Sequence, residues 1–374
     1  MCLVDDGSKP TLYIKANIID LYFISISQSL SLELIEVKDR RAIYLIGIDE
    51  KEVSPFYMFS SVETLSEKTA LELILSSEEF DIILFNDYAL EIARAAGKCD
   101  GSAEAKNALQ HFVPTGPDYS GNDSEMEKIV SDYIESKGSK FVPNLKLSRF
   151  ESDARSTVIS GHGSVMNIAG FSSATEVHEM LPQIVGDHTL LHFEHSPEVE
   201  MSENKRREFS DAMILGGSAF LSIQAKSFDF EGDVPPTSRS NAEKRMRKNV
   251  TKAVAQTKGS SRALRERRKI FSKKTEITIP SDAIGIFCIF VPSLDLISGH
   301  MDDVLCQLGD YLKKHGHDLV VLDPMQFLRT VQAAEQAAKL SGSVPDEVFF
   351  DLLQRNSRQA AAERNYTRPI LYRW

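Results

Sequence analysis

The run Glu208–Phe228, EFSDAMILGGSAFLSIQAKSF, holds two apolar segments separated by Gly216, Gly217 and Ser218. Two short apolar runs joined by a small flexible turn read as a β-hairpin, EFSDAMIL (Glu208–Leu215) returning as FLSIQAKSF (Phe220–Phe228). Side chains alternate between the faces of a strand. Leu221, Ile223 and Ala225 therefore form an apolar face, while Ser222, Gln224 and Lys226 share the other. A Gln and a Lys two residues apart on one face of a short hydrophobic strand are unusual. Asp211 stands among apolar neighbours on the preceding strand, 13 positions before Gln224, and the turn can bring it alongside.

Reading outward from the hairpin, ATEVHEMLPQI (Ala174–Ile184) fits a helix interrupted late by Pro182, and TLLHFE (Thr189–Glu194) fits a strand. After the hairpin, Pro235 and Pro236 mark a loop. A long helical segment follows from Asn241 to about Arg268. AIGIFCIFV (Ala283–Val291) fits a buried strand, Met301–His315 a helix, DLVVL (Asp318–Leu322) a strand and Pro324–Leu340 a helix. The predicted fold class is α/β, with a mixed central sheet flanked by helices over residues 150–354 and a tail over 355–374.

Residues 1–120 read as a separate α+β domain. Strands are expected in TLYIKANIIDLYFISIS (Thr11–Ser27), LSLELIEV (Leu30–Val37), RAIYLIGI (Arg41–Ile48) and DIILF (Asp81–Phe85), with helices over Thr64–Ser77 and Tyr88–Lys98. The Pro, Gly, Ser and Asn of VPTGPDYSGNDS (Val113–Ser124) read as a linker, and a helix over Glu125–Lys137 completes a connector spanning 121–149. A sensor, specificity or partner-binding role suits such a domain. Nothing in it names a chemistry.

At 374 residues, with 42% hydrophobic and 26% charged residues, the chain has the composition of a globular protein of about two domains. No run approaches the roughly 18 apolar residues of a membrane span. The opening MCLVDDGSKP is acidic where an export signal is basic, so a cytoplasmic protein without membrane contact is expected. Cys2, Cys99, Cys288 and Cys306 are scattered, which argues against a disulfide framework or a cysteine-rich zinc site.

The net charge of −11 conceals an asymmetry. Between Asn241 and Lys274 stand 13 Lys or Arg against Glu243 and Glu266, a local charge of +11. A basic strip on an acidic body is suited to phosphate attraction.

One carboxylate, one amide oxygen and one ammonium on adjacent strands suit phosphodiester hydrolysis. A hard divalent cation takes oxygen ligands, polarises the phosphoryl oxygen and lowers the pKa of a bound water, and a lysine can meet the developing charge. Asp211 followed by Gln224-Ala225-Lys226 resembles the PD-(D/E)xK superfamily of restriction-endonuclease-like nucleases, most closely its Mrr-like branch, where Gln stands for the commoner acid. The resemblance covers about 200 residues and none of the first 120. It implies an αβββαβ core and Mg2+ held by Asp211 and Gln224, with Mn2+ as a substitute. Lys226 would stabilise charge, and an acidic residue on the preceding helix would complete the site: Glu179 is favoured, with Glu176 on that helix and Glu194 at a strand end as alternatives. The basic helix would carry Arg245, Lys248, Lys252, Gln256 and Arg262 towards DNA phosphates, which positions a duplex without reading its bases. A role in host defence follows by analogy, alone, as a homodimer or with a defence-system partner. Two other readings stay open, a non-catalytic nucleic-acid or protein-binding module and an RNA-directed nuclease.

Competing chemistries are weaker. His192 and His195 in HFEH lack a second cluster at ligand spacing. His315 and His317 flank Gly316 where a helix should end. Gly161–Gly163 lacks the lysine and strand–loop–helix setting of a phosphate-binding loop. No nucleophile elbow is present.

Overall fold

The computed structural model describes residues 1–4, 9–27, 29–37, 41–48, 56–76, 79–86, 91–100, 109–114, 123–136, 144–151, 156–159, 165–168, 181–189, 191–202, 205–226, 237–273, 275–280 and 282–368. The chain is mixed α/β and divides into two compact units, Met1–Ser156 and Thr157–Trp374.

The first unit contains β1 (Cys2–Val4), β2 (Thr11–Lys15), α1 (Ile18–Ile26), β3 (Ser29–Val37), β4 (Arg41–Ile48), β5 (Phe56–Ser61), α2 (Leu65–Leu75), β6 (Glu79–Phe85), β7 (Glu91–Cys99), α3 (Asp123–Ser136) and β8 (Leu145–Leu147). Its strands form one sheet in the order β1-β2-β6-β7-β8-β3-β4-β5. Two sequence expectations are overturned here. Residues 18–26, expected to be strand, are helix, because the Asn17 side chain accepts from the backbone N–H groups of Ile19 and Asp20 and so satisfies the first turn. The described part of Tyr88–Lys98, expected to be helix, is strand β7. Ala93, Ala95, Gly97 and Cys99 point inward while Arg94, Ala96 and Lys98 point out. Gly97 is required there, since a Cβ would lie 2.5 Å from Cζ of Phe80 on the paired strand β6.

The expected connector is also part of this unit. Val130 and Ile134 of α3 pack with Ile35, Ile43 and Leu45 of the sheet, and β8 pairs with both β3 and β7. Burial of α3's apolar stripe draws the boundary to residue 156. Two short strands follow, β9 (Ser156–Ile159) and β10 (Val165–Ile168), paired with each other.

The second unit comprises α4 (Leu181–His188), β11 (His192–His195), β12 (Glu198–Ser202), β13 (Lys205–Glu208), β14 (Ala212–Leu215), β15 (Ala219–Ala225), α5 (Arg239–Arg265), β16 (Ile270–Ser272), β17 (Thr275–Ile277), β18 (Ile284–Phe290), α6 (Asp302–Lys314), β19 (His317–Leu322), α7 (Pro324–Ser341) and α8 (Pro345–Glu363). Its main sheet has the order β11-β14-β15-β18-β19. The first three strands are antiparallel neighbours, and β18 and β19 run parallel to β15. Parallel neighbours require crossovers. These are α5 and α6, which a right-handed path puts on one face. Phe290, opposite Ala225, turns to the other face, where it meets Phe327 of α7, which in turn meets Phe349 of α8.

The expected hairpin forms, with Ala212 opposite Ile223, Met213 opposite Ser222 and Leu215 opposite Phe220. The strand expected over Glu208–Leu215 is nevertheless divided. β13 ends at Glu208 and belongs to a second sheet of order β13-β12-β16-β17. The main sheet begins again at Ala212.

Residues 364–368 are not a loose tail. Tyr366 and Thr367 are buried, the Thr367 hydroxyl donates to Asp302 at 3.1 Å, and the Tyr366 ring occupies space that only a glycine at position 309 leaves open, a Cβ there falling 2.1 Å from its Oη. The unit therefore continues past residue 354 through all of α8 to Arg368.

Candidate active site

The site is built where β15 ends against β14. The Asp211 N–H donates to the Ile223 carbonyl at 3.0 Å, and its own carbonyl accepts from the Ser196 N–H at 2.9 Å, which holds Asp211 between β15 and the end of β11. Its Oδ2 accepts from the Ala225 N–H at 2.7 Å. Lys226, whose N–H continues the ladder onto the Phe290 carbonyl at 2.8 Å, brings its Nζ to 3.8 Å from the same carboxylate oxygen. Acid and amine are thus one ion pair. Their side chains keep 23% and 14% of their exposure, so the pair is partly shielded yet open to solvent.

Gln224 lies deeper, at 3% exposure. Its Nε2 donates to the Phe209 carbonyl at 3.0 Å, and the Ser260 hydroxyl of α5 donates to that carbonyl too. A buried carbonyl with two donors pins β15, the chain entering β14 and α5 to a single point. That bond commits Nε2 as donor and leaves Oε1 as the amide's acceptor.

Helix α5 presents its polar side outward. Ala242, Met246, Val250, Ala253, Val254 and Thr257 are buried, whereas Arg245, Lys248, Lys252, Gln256 and Arg262 are exposed. Gln256 lies one turn before Ser260, on the flank of the helix that meets Phe209. The Ser238 side chain caps this 27-residue helix by accepting from the Asn241 N–H.

Of the acidic candidates, Glu176 and Glu179 lie outside the described residues. Glu194 stands on β11 opposite Met213, and both carboxylate oxygens are engaged: Oε1 lies 2.6 Å from Nε2 of His192, and Oε2 accepts from the Ser272 hydroxyl of β16. Burial works against its charge, but the hydrogen bonds from Ser272 and His192 and the charge of His192 and His195 outweigh it and hold the carboxyl below the usual range. Glu194 thereby joins the two sheets. Among the described residues no three His, Cys, Asp or Glu side chains form a cluster able to hold a metal.

His195 packs on Phe193 at 4.8 Å, His315 follows α6, and His317 begins β19 with its ring 5.3 Å from Phe287. Gly316 between them has φ +75°, a conformation natural to glycine at the end of a helix. Ser260, the Phe209 carbonyl and Ser272 escaped the sequence reading. A small polar residue inside a basic helix and a backbone atom carry no periodic signal. Among the described residues no helix is long and apolar enough to cross a membrane. No protein-family model matches the chain, and no curated protein or solved structure matches it either.

Proposed function

We propose that the second unit is a divalent-cation-dependent nuclease of the PD-(D/E)xK type that hydrolyses phosphodiester bonds of DNA. The observation that carries this reading is the Asp211–Lys226 pair, 3.8 Å apart at the end of β15, with Gln224 on the same strand. The order of elements around the main sheet supports it: with β12, β13, β16 and β17 of the second sheet set aside, α4, the antiparallel strands β11, β14 and β15, the basic helix α5 and the parallel strand β18 follow one another, compatible with an αβββαβ core.

Asp211 and the Oε1 of Gln224 supply oxygen donors that suit Mg2+ or Mn2+, and one carboxylate is a weak set by itself. Tight loading then awaits the substrate phosphate, which contributes further oxygens. When bound, the metal supplies Lewis acidity and lowers the pKa of its water. Lys226, held by Asp211 until substrate arrives, stands where it can orient the attacking water and meet the charge that develops on the phosphate. Arg245, Lys248, Lys252 and Arg262 offer a cationic surface to backbone phosphates, giving affinity without base preference.

The deep burial of Gln224 favours a second reading, a nucleic-acid-binding module without hydrolysis. Incubating the full chain with plasmid DNA, linear duplex, single strands and RNA, in Mg2+ and in EDTA, separates the readings. Cleavage of duplex DNA in Mg2+ alone is expected. Binding without cleavage of any substrate supports the module, and cleavage confined to RNA would replace DNA as substrate.

A further inference from the structure

A cation outside the expected site lies against the same helix. Arg207 sits on β13 opposite Val199, which is fully buried, so this arginine turns inward where its neighbour turns out. Arg206 is satisfied at the surface, stacked 3.7 Å over the Phe271 ring and donating to the Lys273 carbonyl at 3.0 Å. Arg207 is not. Its guanidinium lies against Gly259 of α5, with Nη2 and Nη1 2.9 and 3.2 Å from the position a Cβ there would take. Its Nε is buried without a hydrogen-bond partner, and no acidic side chain pairs with it among the described residues. An unpaired, partly buried cation is costly unless an anion completes it.

The surroundings supply the context. On α5 the surface neighbours of position 259 are three and four residues away, and among these Gln256 and Arg262 are exposed and polar. Ser260, next to Gly259, shares the Phe209 carbonyl with Gln224, and Phe209 is two residues beyond Arg207. Arg207 and Arg262, with the neutral amide of Gln256, are thus the polar side chains that border Gly259, on the helix that also fixes Gln224 through Ser260 and Phe209. A planar fork that can donate two parallel N–H groups fits a phosphodiester oxygen pair.

We propose that Arg207 anchors a backbone phosphate of the DNA next to the scissile one, with Gly259 conserving the space its guanidinium needs against α5. The inference rests on the nuclease reading for the identity of the polymer, and it assigns the β12–β13 hairpin a part in gripping it.

The test is fluorescence anisotropy with the full chain, a labelled duplex oligonucleotide and EDTA, titrated over salt. Arg207→Gln should weaken binding roughly tenfold and lower the slope of log affinity against log salt by about 0.9, while its melting temperature stays level or rises. Arg207→Lys should recover part of the affinity, and Gly259→Ala, which displaces the guanidinium, should lose affinity with the charge retained. Equal affinity and slope in Arg207→Gln, or a loss explained by a lower melting temperature at unchanged slope, overturns the proposal. A parent protein that binds but does not cleave in Mg2+ sinks the nuclease reading while the salt slope still judges Arg207. Cleavage by the parent with Arg207→Gln binding alike sinks only the phosphate anchor. A parent that binds no duplex sinks both.

Discussion

His317 shows how a single residue is fixed by its neighbours. Its Nδ1 is buried without a partner, its ring meets Phe287 at 5.3 Å, and a side chain on Gly285 would collide with it at 2.7 Å. Burial, aided by the nearby His315, pushes its pKa below the ordinary 6.5. The unfolded chain therefore takes up this proton at a higher pH than the folded one. Its neutral form contributes full stability above about pH 6.5, and that contribution falls as pH drops from there through the lower folded value. Urea unfolding at pH 7.5 and pH 5.5 should show a loss of stability on acidification that shrinks in His317→Phe. An identical loss in the variant would mean that other groups carry it. The candidate site shows the opposite side of residue-scale inference. Asp211, Gln224 and Lys226 were legible because strand alternation and one turn define their positions, whereas Arg207 and Ser260 matter through contacts between distant segments that no spacing announces. Glu194, an alternative for the site's second acid in sequence, bonds His192 and Ser272 in the structure.

At the scale of elements, legibility depended on whether composition and context agreed. β15, α5, β18, α6, β19 and α7 were readable because long periodic segments alternate with clear Gly and Pro punctuation. α1 was not, since IIDLYFISI suits a strand as well as a helix and the decision rests on a cap. Asn17→Ala removes two hydrogen bonds to that helix's first turn and should cost about 1 kcal/mol in denaturant unfolding. A change below the error of the measurement would show that packing of the apolar helix alone fixes its ends. β7 misled for another reason. Its alanines favour a helix, but pairing along β6 and alternate burial override so weak a preference. The β12–β13 hairpin, EVEMSENKRRE, was invisible because most of its residues are charged and its partner β16 lies about 70 residues away in sequence.

The second unit as a whole is tied together by its last described residues. Besides Tyr366 and Thr367, the Arg364 carbonyl accepts from the Cys306 thiol of α6 at 3.2 Å, and the Arg368 carbonyl accepts from Gln326 of α7 at 3.3 Å. These contacts strap α8 to both neighbours. Tyr366→Ala leaves a cavity over Gly309 and should cost about 3 kcal/mol, read as a lower denaturation midpoint, and an unchanged midpoint would show that the strap adds nothing. On the nuclease reading, this frame serves to hold an acid and an amine at the end of one strand beside a cationic helix. Single-turnover cleavage of duplex DNA in Mg2+ by Lys226→Ala, set beside its affinity in EDTA, tests that most directly. Cleavage should fall by at least about 100-fold, on the scale of losing one charge-stabilising donor, with affinity within about twofold of the parent. Undiminished cleavage in a folded Lys226→Ala protein would contradict it.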